Sequence, residues 1–152
     1  MLSIALTKGR VEEQAIPLLE ACGIDCEPLR NKKRKLVIQL GDDLEVILVK
    51  GGDVLTYLNN GVVDLGIVGS DVLEEQQNEG YELLDLKTGV CRFILASLVE
   101  YDPDEGRRQV IGTKYPNITK EYFREKGKDV EIIKIEGSVE LAPLVGLADA
   151  MN

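Results

Sequence analysis

The chain has 152 residues, 44% of them apolar, with 18 basic against 27 acidic side chains and a net charge of −9. That size allows one ordinary domain or two small lobes with a real core, and the acidic balance argues against nucleic acid or an anionic membrane as a partner of the surface as a whole. There is no histidine, which removes Ser/His/Asp and Cys/His triads and the common zinc sites and leaves chemistry to Arg, Lys, carboxylates, backbone dipoles or a metal carried by a substrate.

In chain order, Leu2 to Leu6 reads as a short apolar strand, followed by the turn Thr7-Lys8-Gly9-Arg10. A helix is expected from about Val11 to Ala21, with Ala15, Leu18, Leu19 and Cys22 at helical spacing. Pro17 inside it predicts a kink or an early second start. Arg30, Lys32, Lys33, Arg34 and Lys35 then place five cations in six residues. They are either a solvated loop or a positive rim that holds phosphates in an otherwise acidic protein. Leu36 to Leu40 and Glu45 to Val49 read as two strands joined in a hairpin by Gly41-Asp42-Asp43. Lys50-Gly51-Gly52-Asp53 opens a helix with Asp53 as N-cap. A strand follows (Val63 to Val68), then Gly69-Ser70-Asp71 and a helix to about Asn78.

Arg92 to Val99 is an apolar run expected to be a strand leaving the first lobe, and Tyr101 to Arg108 is a polar surface loop. The rhythm then resumes with a strand at Val110 to Gly112, a helix at Thr119 to Lys126, a strand at Val130 to Ile135 and a helix at Val139 to Gly146. Leu147 to Ala150 resembles the start of a further strand. Alternating strands and helices predict a mostly parallel sheet flanked by helices, and the break near Cys91 predicts two lobes, 1–90 and 91–152, around a cleft. No apolar run approaches the ~20 residues that span a bilayer, and no signal-peptide pattern opens the chain. Cys22, Cys26 and Cys91 are odd in number and lack metal-ligand spacing, which predicts reduced, mostly buried thiols, Cys91 in the core, and a cytoplasmic location.

Four turns share one logic. Thr7-Lys8-Gly9-Arg10, Lys50-Gly51-Gly52-Asp53, Gly69-Ser70-Asp71 and Gly137-Ser138-Val139-Glu140 each follow an expected strand and precede an expected helix. Ligands of open α/β sheets bind outside the carboxyl ends of strands. Glycine there admits a phosphate close to free backbone N–H groups, and Lys and Arg supply charge. The set predicts an anionic small-molecule site, although no nucleotide-triphosphatase loop and no Gly-x-Gly-x-x-Gly is present. Asp64, Asp71, Glu140 and Asp149 are the competing carboxylates, readable as metal ligands or bases. Asp71 and Glu140 read equally well as helix caps that contribute ~1 kcal/mol each.

Ile4 to Arg10, Val63 to Asp71, Tyr81 to Leu86, Thr113 to Asn117 and Glu136 to Ala150 together resemble the catalytic subunit of ATP phosphoribosyltransferase in its short form. The family catalyses the first step of histidine biosynthesis. The resemblance implies an α/β fold of two small lobes around a cleft, similar to type II periplasmic binding proteins. It also implies displacement of pyrophosphate from C1′ of phosphoribosyl pyrophosphate (PRPP) by N1 of ATP, with Mg2+ carried on the substrates. Arg34 and Lys50 match cationic positions that meet substrate phosphates or the leaving group; many relatives have Arg where Lys50 stands. Lys8, Arg10, Ser70 and Asp71 match the substrate-binding turns of the first lobe. Ser138 and Glu140 match positions that contact the nucleotide from the second lobe, and Tyr115 either shapes the adenine pocket or is structural.

The implied partners are ATP, PRPP and a regulatory subunit similar to histidyl-tRNA synthetase, with a homodimer inside a hetero-oligomer. In the family, Leu147-Ala148-Asp149-Ala150 runs on into a Gly/Thr-rich loop that cradles the ribose phosphate of PRPP. That loop does not follow Asn152 in this sequence, which implies weak or absent PRPP binding and an exposed apolar seam on the first lobe for a chain of these 152 residues alone. Two readings compete: a two-lobed domain that binds or senses small anions without catalysis, and an assembly partner that docks on the regulatory subunit.

Overall fold

In the computed structural model, which describes residues 1–77 and 80–152, the chain divides into two units, Met1–Val90 and Cys91–Asn152. The fold class is α/β, with a four-stranded sheet in each unit. No helix among the described residues is long and apolar enough to cross a membrane.

The first unit comprises β1 (Leu2–Thr7), α1 (Arg10–Ala21), α2 (Glu27–Arg30), β2 (Val37–Leu40), β3 (Leu44–Val49), α3 (Gly51–Asn59), β4 (Leu65–Ile67) and α4 (Ser70–Glu75). Its sheet runs β2-β3-β1-β4. β3 and β4 are parallel to β1, and β2 closes the hairpin antiparallel to β3. The two-residue period of the strands sorts their side chains to two faces. Ile4, Leu6, Val46 and Leu48 join Ala15, Ile16 and Leu29 of α1 and α2 on one side. Ala5 and Val49 join Val54 of α3 on the other. With both faces covered, the central strands are apolar almost throughout, as parallel strands require.

Several expectations shift. α1 runs through Pro17 without a break, since the buried Ala15 and Ile16 anchor that stretch to the sheet. α3 starts three residues early: Lys50 is the extended N-cap residue and Asp53 lies in the first turn, so Asp53 is not the cap. α4 ends at Glu75, short of the expected bound, because Gln76 is its C-cap residue and Gln77 turns out of the helix at φ 48°; Asn78 lies outside the described residues. Of the three thiols only Cys26 is buried, and burial pushes its pKa up. Cys22 and Cys91 are exposed, because the first ends α1 and the second lies in an open connecting stretch.

The second unit comprises β5 (Ala96–Ser97), β6 (Gln109–Thr113), α5 (Pro116–Glu125), β7 (Val130–Lys134), α6 (Leu141–Leu144) and β8 (Ala150–Met151), with sheet order β5-β8-β6-β7. β7 and β8 are parallel to β6, and β5 is antiparallel to β8. Ile111, Phe123 and Ala150 form a small core. Gly112 is required by close packing: a Cβ there would lie 3.0 Å from Ile135 Cδ1 and 3.1 Å from Ala142 Cβ. The long strand expected over Arg92 to Val99 shrinks to Ala96–Ser97, where Ala150 and Met151 supply a partner. Strand formation needs that ladder, and the flanking Ile94, Leu98 and Val99 are exposed. α6 covers only four of the eight residues expected; Pro143 lies inside it, and the positive-φ Gly146 turns the chain away two residues after its end.

Asp149 is the structural clasp of this unit. Arg107 donates to both of its oxygens, at 3.0 and 2.6 Å, and the Val110 N–H donates to it at 2.7 Å. These bonds, the guanidinium first, hold its carboxyl below the usual range. A depressed folded pKa contributes stability above the unfolded value near 3.8, which is lost as pH falls through the folded one. Asp149→Asn is therefore expected to unfold at lower urea than the parent at pH 6. The gap should begin to narrow below about 4 and close as pH falls through the depressed pKa of the folded carboxyl, below which the parent carries no charge there either. A gap that persists unchanged at low pH would remove the ionic clasp.

Candidate functional site

The carboxyl ends of β3, β1 and β4 lie side by side, since Thr7 is in register with Val49 and Leu6 with Ile67. The turns that leave them are consequently neighbours. The Lys8 N–H donates to Val49 O at 3.0 Å, and Thr7 Oγ1 donates to Ile67 O at 3.1 Å. A Cβ on Gly51 would lie 3.4 Å from Thr7 Cγ2 and 3.5 Å from Val72 Cγ2. Gly9, with φ 85°, takes a backbone shape that L side chains rarely adopt.

The antiparallel β2 brings a further group to the same edge. Because β2 runs opposite to β3, the chain enters it where β3 ends: Leu48 N–H donates to Leu36 O at 2.7 Å. The basic loop that precedes Leu36 thus sits at the carboxyl edge of the parallel strands. Lys8, Arg10, Lys33, Arg34, Lys35 and Lys50 are all exposed there. None of the six takes part in an ion pair among the described residues, whereas Arg30 and Lys32 are bound to Glu20 and Glu12. Several uncompensated cations on one sheet edge, in a protein of net −9, form a local positive field suited to phosphates.

Ser70 and Asp71 open α4 at that edge. The Asp71 carboxylate folds back so closely that a Cβ on Gly69 would come within 2.1 Å of its Oδ1. Asp64 lies elsewhere, at the amino end of β4. Its Oδ2 accepts from the Ser3 N–H and from Ser3 Oγ, both at 2.8 Å, and those bonds lower its pKa. Asp64 and Asp149 are thereby structural, and their reading as bases or metal ligands is set aside. Among the described residues no group of three or more His, Cys, Asp or Glu side chains could hold a metal ion.

In the second unit the carboxyl ends of β6, β7 and β8 also share an edge, which carries Tyr115, the segment with Ser138 and Glu140, and Asn152. Tyr115 is the N-cap residue of α5, and its ring meets Phe93 edge-on at 4.9 Å. Ser138 and Glu140 are exposed. The helix they precede has four residues, too short for the dipole expected of it, and the Leu141 and Ala142 N–H groups are already bonded to Ser138 O and Val139 O. Beneath the edge lies a polar cluster that sequence reasoning missed. The fully buried Thr113 Oγ1 accepts from the Tyr115 N–H at 2.9 Å and from Thr119 Oγ1 at 3.1 Å, and it donates to Asn152 Oδ1 at 3.2 Å. Only a fold that buries both threonines makes them stand out. Thr113→Val, equal in shape, removes the hydroxyl that links Tyr115 N–H, Thr119 Oγ1 and Asn152 Oδ1 and is expected to cost about 1–3 kcal/mol in urea unfolding. A loss under about 0.5 kcal/mol would mean that the cluster contributes nothing net.

Three comparisons bear on this arrangement. The family model HisG: ATP phosphoribosyltransferase matches residues 50–152. The chain is 59% identical over 150 residues to ATP phosphoribosyltransferase of Lacticaseibacillus casei (strain BL23), covering 99% of this chain and 71% of that protein. It belongs to the ATP phosphoribosyltransferase family. The relative from Lactiplantibacillus plantarum (strain ATCC BAA-793 / NCIMB 8826 / WCFS1) is 60% identical over 151 residues, covering 99% of this chain and 69% of its own. The solved ATP phosphoribosyl transferase (HisG:HisZ) complex from Thermotoga maritima superposes with a TM-score of 0.79 at 36% identity, covering 99% of this chain and 72% of that one.

Proposed function

We propose that the chain is a catalytic polypeptide of ATP phosphoribosyltransferase, the enzyme that opens histidine biosynthesis. N1 of ATP attacks C1′ of PRPP; the N1–C1′ bond forms, the C1′–O bond to pyrophosphate breaks, and pyrophosphate leaves with the electron pair. The observation that carries this reading to the chain's own residues is the row of exposed cations at the carboxyl edge of the first sheet, which have no ion pair among the described residues.

Displacement of pyrophosphate asks for alignment of two anionic substrates and stabilisation of charge on the leaving group, and no covalent help from the protein. Arg34 offers forked donors to phosphate oxygens and Lys50 a compact charge. Lys8 and Arg10 hold phosphate at the first turn, with Ser70 and Asp71 beside them. Tyr115, Ser138 and Glu140 contact the nucleotide. Mg2+ arrives on the phosphates of ATP and PRPP and offsets their charge. A HisZ-like regulatory subunit, similar to histidyl-tRNA synthetase, completes a cytoplasmic hetero-oligomer in which the catalytic chain pairs with a second copy.

Incubation with ATP, PRPP and Mg2+ tests the proposal. Phosphoribosyl-ATP and pyrophosphate are expected in equal amounts. ATP binding without either product would instead favour a small-anion binding or sensing domain.

A further inference from the structure

Among the described residues Glu12 is the one carboxylate that is buried, at 5% exposed. A buried carboxylate is costly unless it is both paired and hydrogen-bonded. Its two oxygens serve different elements. Oε2 accepts from the Gly9 N–H at 3.3 Å, the familiar reach-back from the first turn of a helix to its N-cap residue. Oε1 takes the Lys32 ammonium, from a loop 20 residues further along. Capping of α1 explains the first bond and not the second.

Lys32 is itself the first corner of a tight turn. Lys35 N–H donates to Lys32 O at 2.9 Å, and Lys33 lies between them with φ 54°. Arg34 is carried on that turn. One carboxylate thus ties the turn bearing Lys8 and Arg10 to the turn bearing Lys33 and Arg34. We infer that Glu12 is a positioning residue that holds these two cationic turns in fixed register for a phosphate-bearing ligand, with Lys32 given up as its anchor. The inference rests on the proposed anion site but not on the reaction assigned to it.

Charge alone and positioning predict opposite signs. Glu12→Gln removes a negative charge next to the cations, and by Coulomb attraction it should tighten the binding of an anion. If Glu12 positions the turns, the same change loosens the loop and weakens binding. The amide oxygen of Gln can still accept from Gly9, so the helix cap survives.

Inorganic pyrophosphate is the probe, titrated by calorimetry into the parent, Glu12→Gln, Lys32→Gln and the double variant. Hydrogen exchange is read over residues 7–10 and 31–35. Each single change is expected to weaken pyrophosphate on the order of tenfold, as loss of a supporting contact does, and the double variant should be no worse than either single. Exchange should quicken in both turns while β1 and β3 stay protected, which excludes general unfolding. Unchanged or tighter binding by Glu12→Gln, additive losses, or unaltered exchange would each overturn the proposal. A parent that fails to bind pyrophosphate would overturn it together with the anion site. Pyrophosphate binding without turnover of ATP and PRPP would sink the assigned reaction and leave the clamp standing.

Discussion

Arg34→Ala should lower kcat/KM for phosphoribosyl transfer by about 10²–10³-fold, the loss typical of removing one donor aimed at charge that develops in the transition state. The side chain is exposed and has no ion pair among the described residues, so its removal should change folding stability by less than about 0.5 kcal/mol. That separation marks a binding group, because a structural arginine would lose both together. Arg34→Lys keeps the charge but loses the planar fork, and an intermediate rate is expected. The effect is read from initial rates of pyrophosphate release at saturating ATP with PRPP varied. Parental turnover by Arg34→Ala would remove the residue from the leaving-group role. The same assay on Lys50→Arg, which restores a fork at the end of β3, should leave turnover intact.

Leu48→Ala should destabilise the first unit by about 2–5 kcal/mol. Leu48 is 1% exposed on the third strand, between β2 and β1, and packs in the cluster that contains Leu6, Leu29 and Val46. Close-packed interiors relax only partly around a lost side chain, so both the transfer term and the cavity term apply. Against a total of about 5–15 kcal/mol for ordinary domains, this is a large share. Val37→Ala, on the neighbouring edge strand and 53% exposed, is the control and should stay within about 0.5 kcal/mol. Urea unfolding followed by far-ultraviolet circular dichroism measures both. A Leu48→Ala loss below about 1 kcal/mol would mean that the site collapses to fill its own cavity.

Much of the fold was legible because its signals are local. Apolar runs bounded by Gly, Asp and Lys marked β1, the β2–β3 hairpin, β6 and β7 to within two residues. The alternation of strand and helix indicated parallel pairing. The turns at Lys8, Lys50 and Ser70 were recognisable as ends of parallel strands. What misled were segments whose state depends on a partner. The apolar stretch Arg92 to Val99 has strand composition, but only Ala96 and Ser97 find a ladder. Val139 to Gly146 has a helical pattern, but only Leu141–Leu144 is helical, stopped short of the positive-φ Gly146. Asp53 has the chemistry of a cap and lies inside the helix, because the extended backbone at Lys50 sets the start.

By itself the sequence determined the α/β class, the family and the chemical character of the site: no histidine, abundant Lys and Arg at turns, and a basic loop in an acidic chain. Those properties follow from residue type and near-neighbour spacing. The tertiary structure decided which charges are free. Asp64 and Asp149 are consumed by Ser3 and Arg107, across 61 and 42 residues of chain, and Lys32 is consumed by Glu12. Arg34 reaches the edge of Lys8 and Lys50 only because β2 runs antiparallel to β3. Pairing over such separations is set by strand register and burial, which no local window of sequence contains.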